Sequence, residues 1–210
     1  MSSEKIRVVL ADDQALVRGA IAALLELEDD IEIVGQASNG RELLAVIREV
    51  MPQVAVVDIE MPDMDGITAT KKIMQAQQSG IATDTKILIL TTFGRPGYLK
   101  RALAAGAKGF LGKETPAAEL AQAVRKIASG GTQVDVKLAA QSLFEGDNPL
   151  TEREIEVLRA VEKGMRIKDI AGAVHLSAGT VKNYLSNAIS KTGAQNSAGA
   201  ARTARDNGWL

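Results

Sequence analysis

The chain is expected to fold as an α/β domain on a five-stranded, parallel, doubly wound sheet, followed by a small all-α domain of four helices. Three observations predict this. Short apolar runs alternate with amphipathic stretches over residues 1–128, and the runs are near-continuously aliphatic, as strands covered on both faces must be. After an Asn-Pro break at 148–149 only helical patterns follow.

The strands read as IRVVLA (6–11), EIVG (32–35), VAVVD (54–58), KILILT (86–91) and KGFL (108–111). Helices over 14–27, 40–50, 65–78, 96–105 and 116–128 connect or follow them, and this regular order demands parallel strands joined by right-handed crossovers. The first helix is unusually apolar. At about 100° per residue, Val17, Ile21, Leu24 and Leu25 form a stripe that covers the sheet, while Leu16, Ala20, Ala23 and Leu27 form a second one beside it. That second stripe either packs on the fifth helix or is a partner surface.

Residues 129–147 pass from a Gly pair to Asn-Pro and are assigned as a linker between domains 1–128 and 148–210. In "NPLTEREIEVLRAV", Thr151 and Glu154 have the spacing of a capping box, with Leu150 and Ile155 as the hydrophobic staple. Helices are predicted over 152–163, 167–173, 178–192 and 196–206. The short turn between the second and third predicts a helix-turn-helix. The Ala-rich run at 197–204 is expected to let a second copy approach closely.

Composition narrows the chemistry. The chain is 46% hydrophobic, with no cysteine and a single histidine, His175, so thiol chemistry, disulfides and His-based metal or catalytic sites are excluded or poorly supported. His175 reads as a helix-end or solvated residue. No apolar run approaches the roughly 18 residues of a membrane span, and the amino terminus leads directly into a strand-like pattern; a cytoplasmic location with no membrane partner is expected. Residues 1–125 carry 14 Lys/Arg against 17 Asp/Glu, whereas residues 148–210 carry 9 against 6. The terminal domain is thus mildly basic, which permits contact with nucleic acid.

In a doubly wound sheet, ligands bind beyond the carboxyl ends of the strands where strand order reverses. Asp12 and Asp13 stand at the end of the first strand, Asp58 at the third, Thr91 at the fourth and Lys113 just past the fifth. Three carboxylates brought together call for a hard cation, and an all-oxygen ligand set suits Mg²⁺. A carboxylate beside Mg²⁺, a hydroxyl and an ammonium is equipped to attack a phosphoryl group. "ADDQ", "VVDIEMPDMDG", "LILTTF" and "KGFLGK", in this order, resemble the flavodoxin-like receiver domain of two-component response regulators over residues 5 to about 128. The resemblance implies that Asp58 is the phosphoacceptor and that Asp12 and Asp13 hold Mg²⁺ together with Asp58 and the backbone carbonyl of Glu60. It further implies that Thr91 and Lys113 bind the phosphoryl oxygens and that Phe110 is an aromatic switch. Pro62, Asp63, Asp65 and Gly66 read as the following turn and the cap of the next helix.

The terminal domain resembles the LuxR/NarL-type DNA-binding domain through "LTEREIEVL", Gly164, "KDIA", "LS", "GTVKNYLSNAISK" and "GW". By that match Thr180, Lys182, Asn183 and Ser186 face the major groove, while Lys168 and Lys191 touch phosphate. Departures are Ser197 and Ser186 where basic residues are common, and Gly179 and Gly193, which weaken a helix. The combined resemblance is to NarL/FixJ-type regulators, with "TTFGRPGYLKRAL" and "NGWL" closest to the membrane-fluidity (desaturase) subgroup. It implies a sensor histidine kinase acting on Asp58, dimerisation on phosphorylation, a double-stranded operator and RNA polymerase as partners. Leu16, Ala20 and Ala23 are expected to form the kinase or dimer surface. The protein is then not an enzyme except towards its own Asp58. Two other readings fit the sequence less well. A phosphorylation-independent DNA-binding regulator would be expected to lack the acidic pair or the lysine, and both are present. A haloacid-dehalogenase-like phosphatase carries a second Asp two residues after its nucleophile, where this chain has Glu60.

Overall fold

The computed structural model describes residues 5–80, 84–92, 96–136, 138–139 and 148–210. Its sheet has strands β1 (Ile6–Ala11), β2 (Ile31–Ala37), β3 (Val54–Val57), β4 (Lys86–Thr91), β5 (Gly109–Gly112) and β6 (Gln133–Val134). All pairings are parallel, in the order β2-β1-β3-β4-β5-β6. The sheet therefore has six strands where five were expected. β6 lies inside the stretch assigned as a linker, where Gln133 and Val134 pair with Gly109 and Phe110; linker residues 140–147 lie outside the described residues.

The connecting helices are α1 (Ala15–Glu26), α2 (Gly40–Val50), α3 (Gly66–Gln78), α4 (Pro96–Ala104) and α5 (Ala117–Ala128). Strand side chains alternate between the two faces. Val8, Leu10, Val54, Val56, Leu88, Leu90 and Leu111 form one core cluster with Ala22 and Leu25 of α1 and with Leu120, Ala121, Val124 and Ile127 of α5. Leu25 is fully buried, which stabilises the fold by roughly 1.5–3 kcal/mol. The inner stripe of α1 is rotated from its expected position: Ala22 is buried, while Leu24 is 46% exposed. Arg125 of α5 fastens this side, donating to both carboxylate oxygens of Asp30 (2.7 and 2.6 Å) and to Glu28.

The terminal unit holds α6 (Glu152–Glu162), α7 (Ile167–Ala173), α8 (Ala178–Thr192) and α9 (Ser197–Asp206). α6 begins at the expected capping box, with the Thr151 N–H donating to Glu154 Oε2 (2.7 Å) and the Glu154 N–H donating to Thr151 Oγ1 (3.3 Å). Leu150 is buried, and Ile155 packs on the same cluster. Lys191 near the end of α8 also donates to the Glu154 carboxylate, at 2.8 Å. Burial would push that carboxyl up; the Lys191 ammonium and the Thr151 N–H instead hold it below the ordinary glutamate value.

Two local expectations are corrected here. Gly193 does not weaken α8 but ends it, at φ 65°, in the left-handed conformation that glycine adopts without steric cost. Most of the alanines of α9 are not free for a partner: Ala200, Ala201 and Ala204 are buried in the unit's own core, and Ala198 alone of the four is exposed. His175 is exposed, at φ 53° after α7, as expected for a helix-end residue.

Candidate functional site

Register alone brings the acidic residues together. Ala11 pairs with Val57, so Asp12 and Asp58 leave the sheet side by side, and the Asp58 N–H donates to the Ala11 carbonyl at 2.8 Å. Thr91 pairs with Gly112, which puts Lys113 at the same edge, its N–H donating to the Thr91 carbonyl at 2.8 Å. This edge is where β1, β2 and β3 meet and strand order reverses.

Lys113 ties the carboxylates together. Its Nζ lies 2.6 Å from Asp12 Oδ2 and 3.0 Å from Asp58 Oδ2, and all three side chains are nearly inaccessible to solvent. Burial pushes the Asp58 carboxyl above its ordinary value; Lys113 opposes the rise and the Asp12 charge adds to it. Burial would lower the Lys113 ammonium, but its bonds to Asp12 and Asp58 outweigh that and raise it. Asp13 is exposed, and one oxygen from each of Asp12, Asp13 and Asp58 lies within 4.8 Å of the others. Three convergent carboxylates with a single ammonium between two of them fit a hard divalent cation such as Mg²⁺.

The remaining expected residues are placed as follows. Thr91 is fully buried at the end of β4, and Phe110 is fully buried in β5, paired with Ile89 and on the face opposite Leu111. Glu60 is exposed in the β3–α3 loop. That loop is shaped by the residues predicted to turn it: Asp63 has φ 62°, and Asp65 caps α3 by accepting from the Thr68 N–H (2.8 Å) and Thr68 Oγ1 (2.7 Å). Gly66 donates to the Ile59 carbonyl at 3.0 Å, and a Cβ on it would stand 2.0 Å from the Asp58 carbonyl oxygen. The glycine is there because helix α3 starts against the backbone of Asp58. Leu16, Ala20 and Ala23 are all exposed, as is Leu27, so the second stripe of α1 does not pack on α5.

In the terminal unit, Ser177 caps α8 by accepting from the Thr180 N–H (3.0 Å), and the Ser177 and Thr180 hydroxyls are bonded at 2.8 Å. One turn on, Val181 and Leu185 face the core, leaving Lys182, Asn183 and Ser186 exposed on the outer face of α8. Lys168 is exposed on α7. Lys191 is the exception among the DNA candidates, since it is paired with buried Glu154.

Residues 8–125 match the family model of the response regulator receiver domain, and residues 148–204 match that of the bacterial regulatory proteins of the luxR family. The chain belongs to the LuxR-type response regulators. The chain is 41% identical over 205 residues to the uncharacterized transcriptional regulatory protein YvfU of Bacillus subtilis (strain 168), covering 98% of this chain and 100% of that one. To the transcriptional regulatory protein DesR of the same organism it is 38% identical, covering 98% and 99%, a match that accords with the subgroup resemblance. Among solved structures, the response regulator ChrA of a heme-sensing two-component system matches with a TM-score of 0.58 and 33% identity, covering 99% and 100%. The relatives are transcriptional regulators rather than enzymes. No helix among the described residues is long and apolar enough to cross a membrane.

Sequence reasoning missed two residues at the site of this response regulator. Arg18 of α1 donates through Nη1 to the Asp12 carbonyl and through Nε to Gln36 Oε1 at 3.1 Å. The available signal was a lone cation in the otherwise uncharged run ALVRGAIAALL.

Proposed function

We propose that Asp58 accepts a phosphoryl group from a sensor histidine kinase, and that the phosphorylated chain dimerises and binds operator DNA to regulate transcription. The observation that carries this reading is the buried Asp58 carboxylate, bonded to Lys113 and clustered with Asp12 and Asp13. An Asp58 carboxylate oxygen forms the new bond to phosphorus as the bond to the kinase's histidine nitrogen breaks, and the imidazole leaves. Lys113 and Thr91 bind the phosphoryl oxygens, and buried Phe110 reports that change to the face of the sheet it shares with Thr91. Asp12, Asp13, Asp58 and the Glu60 carbonyl hold Mg²⁺, which supplies charge neutralisation for the transferring group. With acetyl phosphate and Mg²⁺, intact mass is expected to show one added phosphoryl group, and Asp58→Asn none. An adduct on another residue, or labelling that does not need Mg²⁺, overturns the assignment.

In the DNA-binding half, Lys182, Asn183 and Ser186, with Thr180 at the helix start, read the major groove, and Lys168 grips phosphate. Lys191 uses one ammonium donor on Glu154 and keeps two for a phosphate. Lys182→Ala is expected to weaken specific operator binding by about 1–3 kcal/mol, while Lys168→Ala weakens all sequences alike and lowers the salt dependence. Fluorescence anisotropy on operator and scrambled duplexes separates these; an equal loss on both for Lys182→Ala makes it a phosphate contact.

The exposed stripe of Leu16, Ala20 and Ala23, with Leu16 86% exposed beside the Asp12/Asp13 edge, is the surface for the kinase or for a second receiver. Leu16→Glu is expected to leave folding and acetyl phosphate labelling intact while abolishing kinase transfer, dimerisation, or both. Persistence of both at wild-type rates places the docking surface elsewhere.

A further inference from the structure

Asp12 is fastened at four points. Its N–H donates to the Ala37 carbonyl at 3.1 Å, its Oδ1 accepts from the Gln14 N–H at 2.9 Å, and its Oδ2 pairs with Lys113. The fourth point is its carbonyl oxygen, held by the Arg18 guanidinium. That carbonyl belongs to the peptide leading into Asp13. Because a peptide is planar, holding its oxygen fixes the Asp13 N and Cα, the base from which the Asp13 side chain leaves the backbone. Among the described residues the Asp13 carboxylate has no hydrogen-bond partner of its own, yet it converges with those of Asp12 and Asp58. Its aim is therefore set by the backbone. Arg18 is in turn braced by Gln36 at the carboxyl end of β2, so that its planar fork spans two segments.

We propose that Arg18 is a positioning residue for the divalent-cation site, aiming Asp13 by holding the Asp12–Asp13 peptide. The proposal rests on the metal reading above. It competes with a simpler expectation of opposite sign: a guanidinium near a dication repels it, so removing Arg18 would tighten binding. Two features favour geometry over charge. Glu42 stands within electrostatic reach of Arg18 and offsets part of its charge; Ser38 holds the Glu42 carboxyl below its ordinary value, and Arg18 adds to that. Residues that orient a metal ligand, moreover, typically change affinity by about 10–100-fold when removed.

The test is calorimetric titration of Mg²⁺ into the full-length, unphosphorylated protein, a readout that does not involve phosphotransfer. Arg18→Ala is expected to weaken Mg²⁺ by about tenfold. Arg18→Lys keeps the charge but cannot span both acceptors, and is expected to weaken binding nearly as much. If Arg18 acts through Asp13, adding Arg18→Ala to Asp13→Asn costs little beyond Asp13→Asn alone. Unchanged or tighter binding in Arg18→Ala overturns the proposal, as does full rescue by lysine or strict additivity with Asp13→Asn. Should Arg18→Ala fail to fold by circular dichroism, Gln36→Ala carries the test. It removes the brace while keeping the charge, and an affinity equal to wild type overturns the proposal. A wild-type chain that takes up no Mg²⁺ sinks the metal reading itself, an outcome distinct from normal uptake that is indifferent to Arg18.

Discussion

Gly66→Ala is expected to destabilise the receiver unit by roughly 3 kcal/mol or more, at or above the upper end of what overpacking costs. The added methyl would meet not a side chain that could swing aside but the Asp58 carbonyl oxygen at 2.0 Å, with Val57 Cγ1 at 2.9 Å behind it. Relief requires moving either the first turn of α3 or the backbone that carries Asp58. Labelling by acetyl phosphate should therefore fall in whatever fraction remains folded. Gly19→Ala is the control, because nothing lies within 4 Å of a Cβ there and the position is an exposed turn of α1. It should stabilise by about 0.5–1 kcal/mol through helix propensity alone. Urea denaturation by circular dichroism follows both units. The single tryptophan, Trp209, packs in the core of the terminal unit and reports on that unit. A Gly66→Ala midpoint equal to wild type would mean that the loop yields at no cost.

Lys113→Met is expected to cost about 3–5 kcal/mol in metal-free protein near neutral pH, as does removing one partner from a buried ion cluster. The substitution leaves Asp12 and Asp58 buried with no ammonium between them. Its pH dependence has a definite sign. Asp58 already sits above its ordinary value because of burial, and loss of Lys113 takes away the group opposing that rise. A carboxyl whose folded value lies above its unfolded one destabilises when ionised, and the penalty is relieved as pH falls through the folded value. The variant's deficit should thus shrink on acidification, and saturating Mg²⁺ should shrink it at neutral pH by neutralising the same carboxylates. Thermal unfolding measured across pH, with Mg²⁺ or with chelator, decides this. A deficit that neither acid nor Mg²⁺ reduces would show that Lys113 matters for packing rather than for charge.

The fold class was legible in the sequence because both of its periodicities are local. A strand covered on two faces must be aliphatic throughout, and its neighbour along the chain must be an amphipathic helix. The grouping of the candidate site residues was legible for a related reason. In a parallel sheet every strand ends at the same edge, so Asp12, Asp58, Thr91 and Lys113, each at or just past a strand end, converge once the sheet forms. The capping box at Thr151 and the cap at Asp65 are likewise written in a few consecutive residues.

Tertiary structure decided whatever depends on which surfaces meet. β6 has two residues, too few to carry a period, and exists because the edge of β5 offers Gly109 and Phe110 for pairing. Ala22 rather than Leu24 faces the core, where it joins Leu25 of α1 and Leu120, Ala121, Val124 and Ile127 of α5, a choice set by how two helices pack on the sheet. Three of the four α9 alanines that suggested a partner surface, Ala200, Ala201 and Ala204, were taken up by the unit's own core, and Lys191 found Glu154, 37 residues away. Arg18 shows the difference most plainly. In the sequence it is one cation on an apolar helix; its acceptors, the Asp12 carbonyl and the Gln36 side chain, lie on two other segments. A periodic pattern specifies which face of an element turns inward, but a hydrogen bond to a backbone carbonyl depends on position in three dimensions, which only the packed chain supplies.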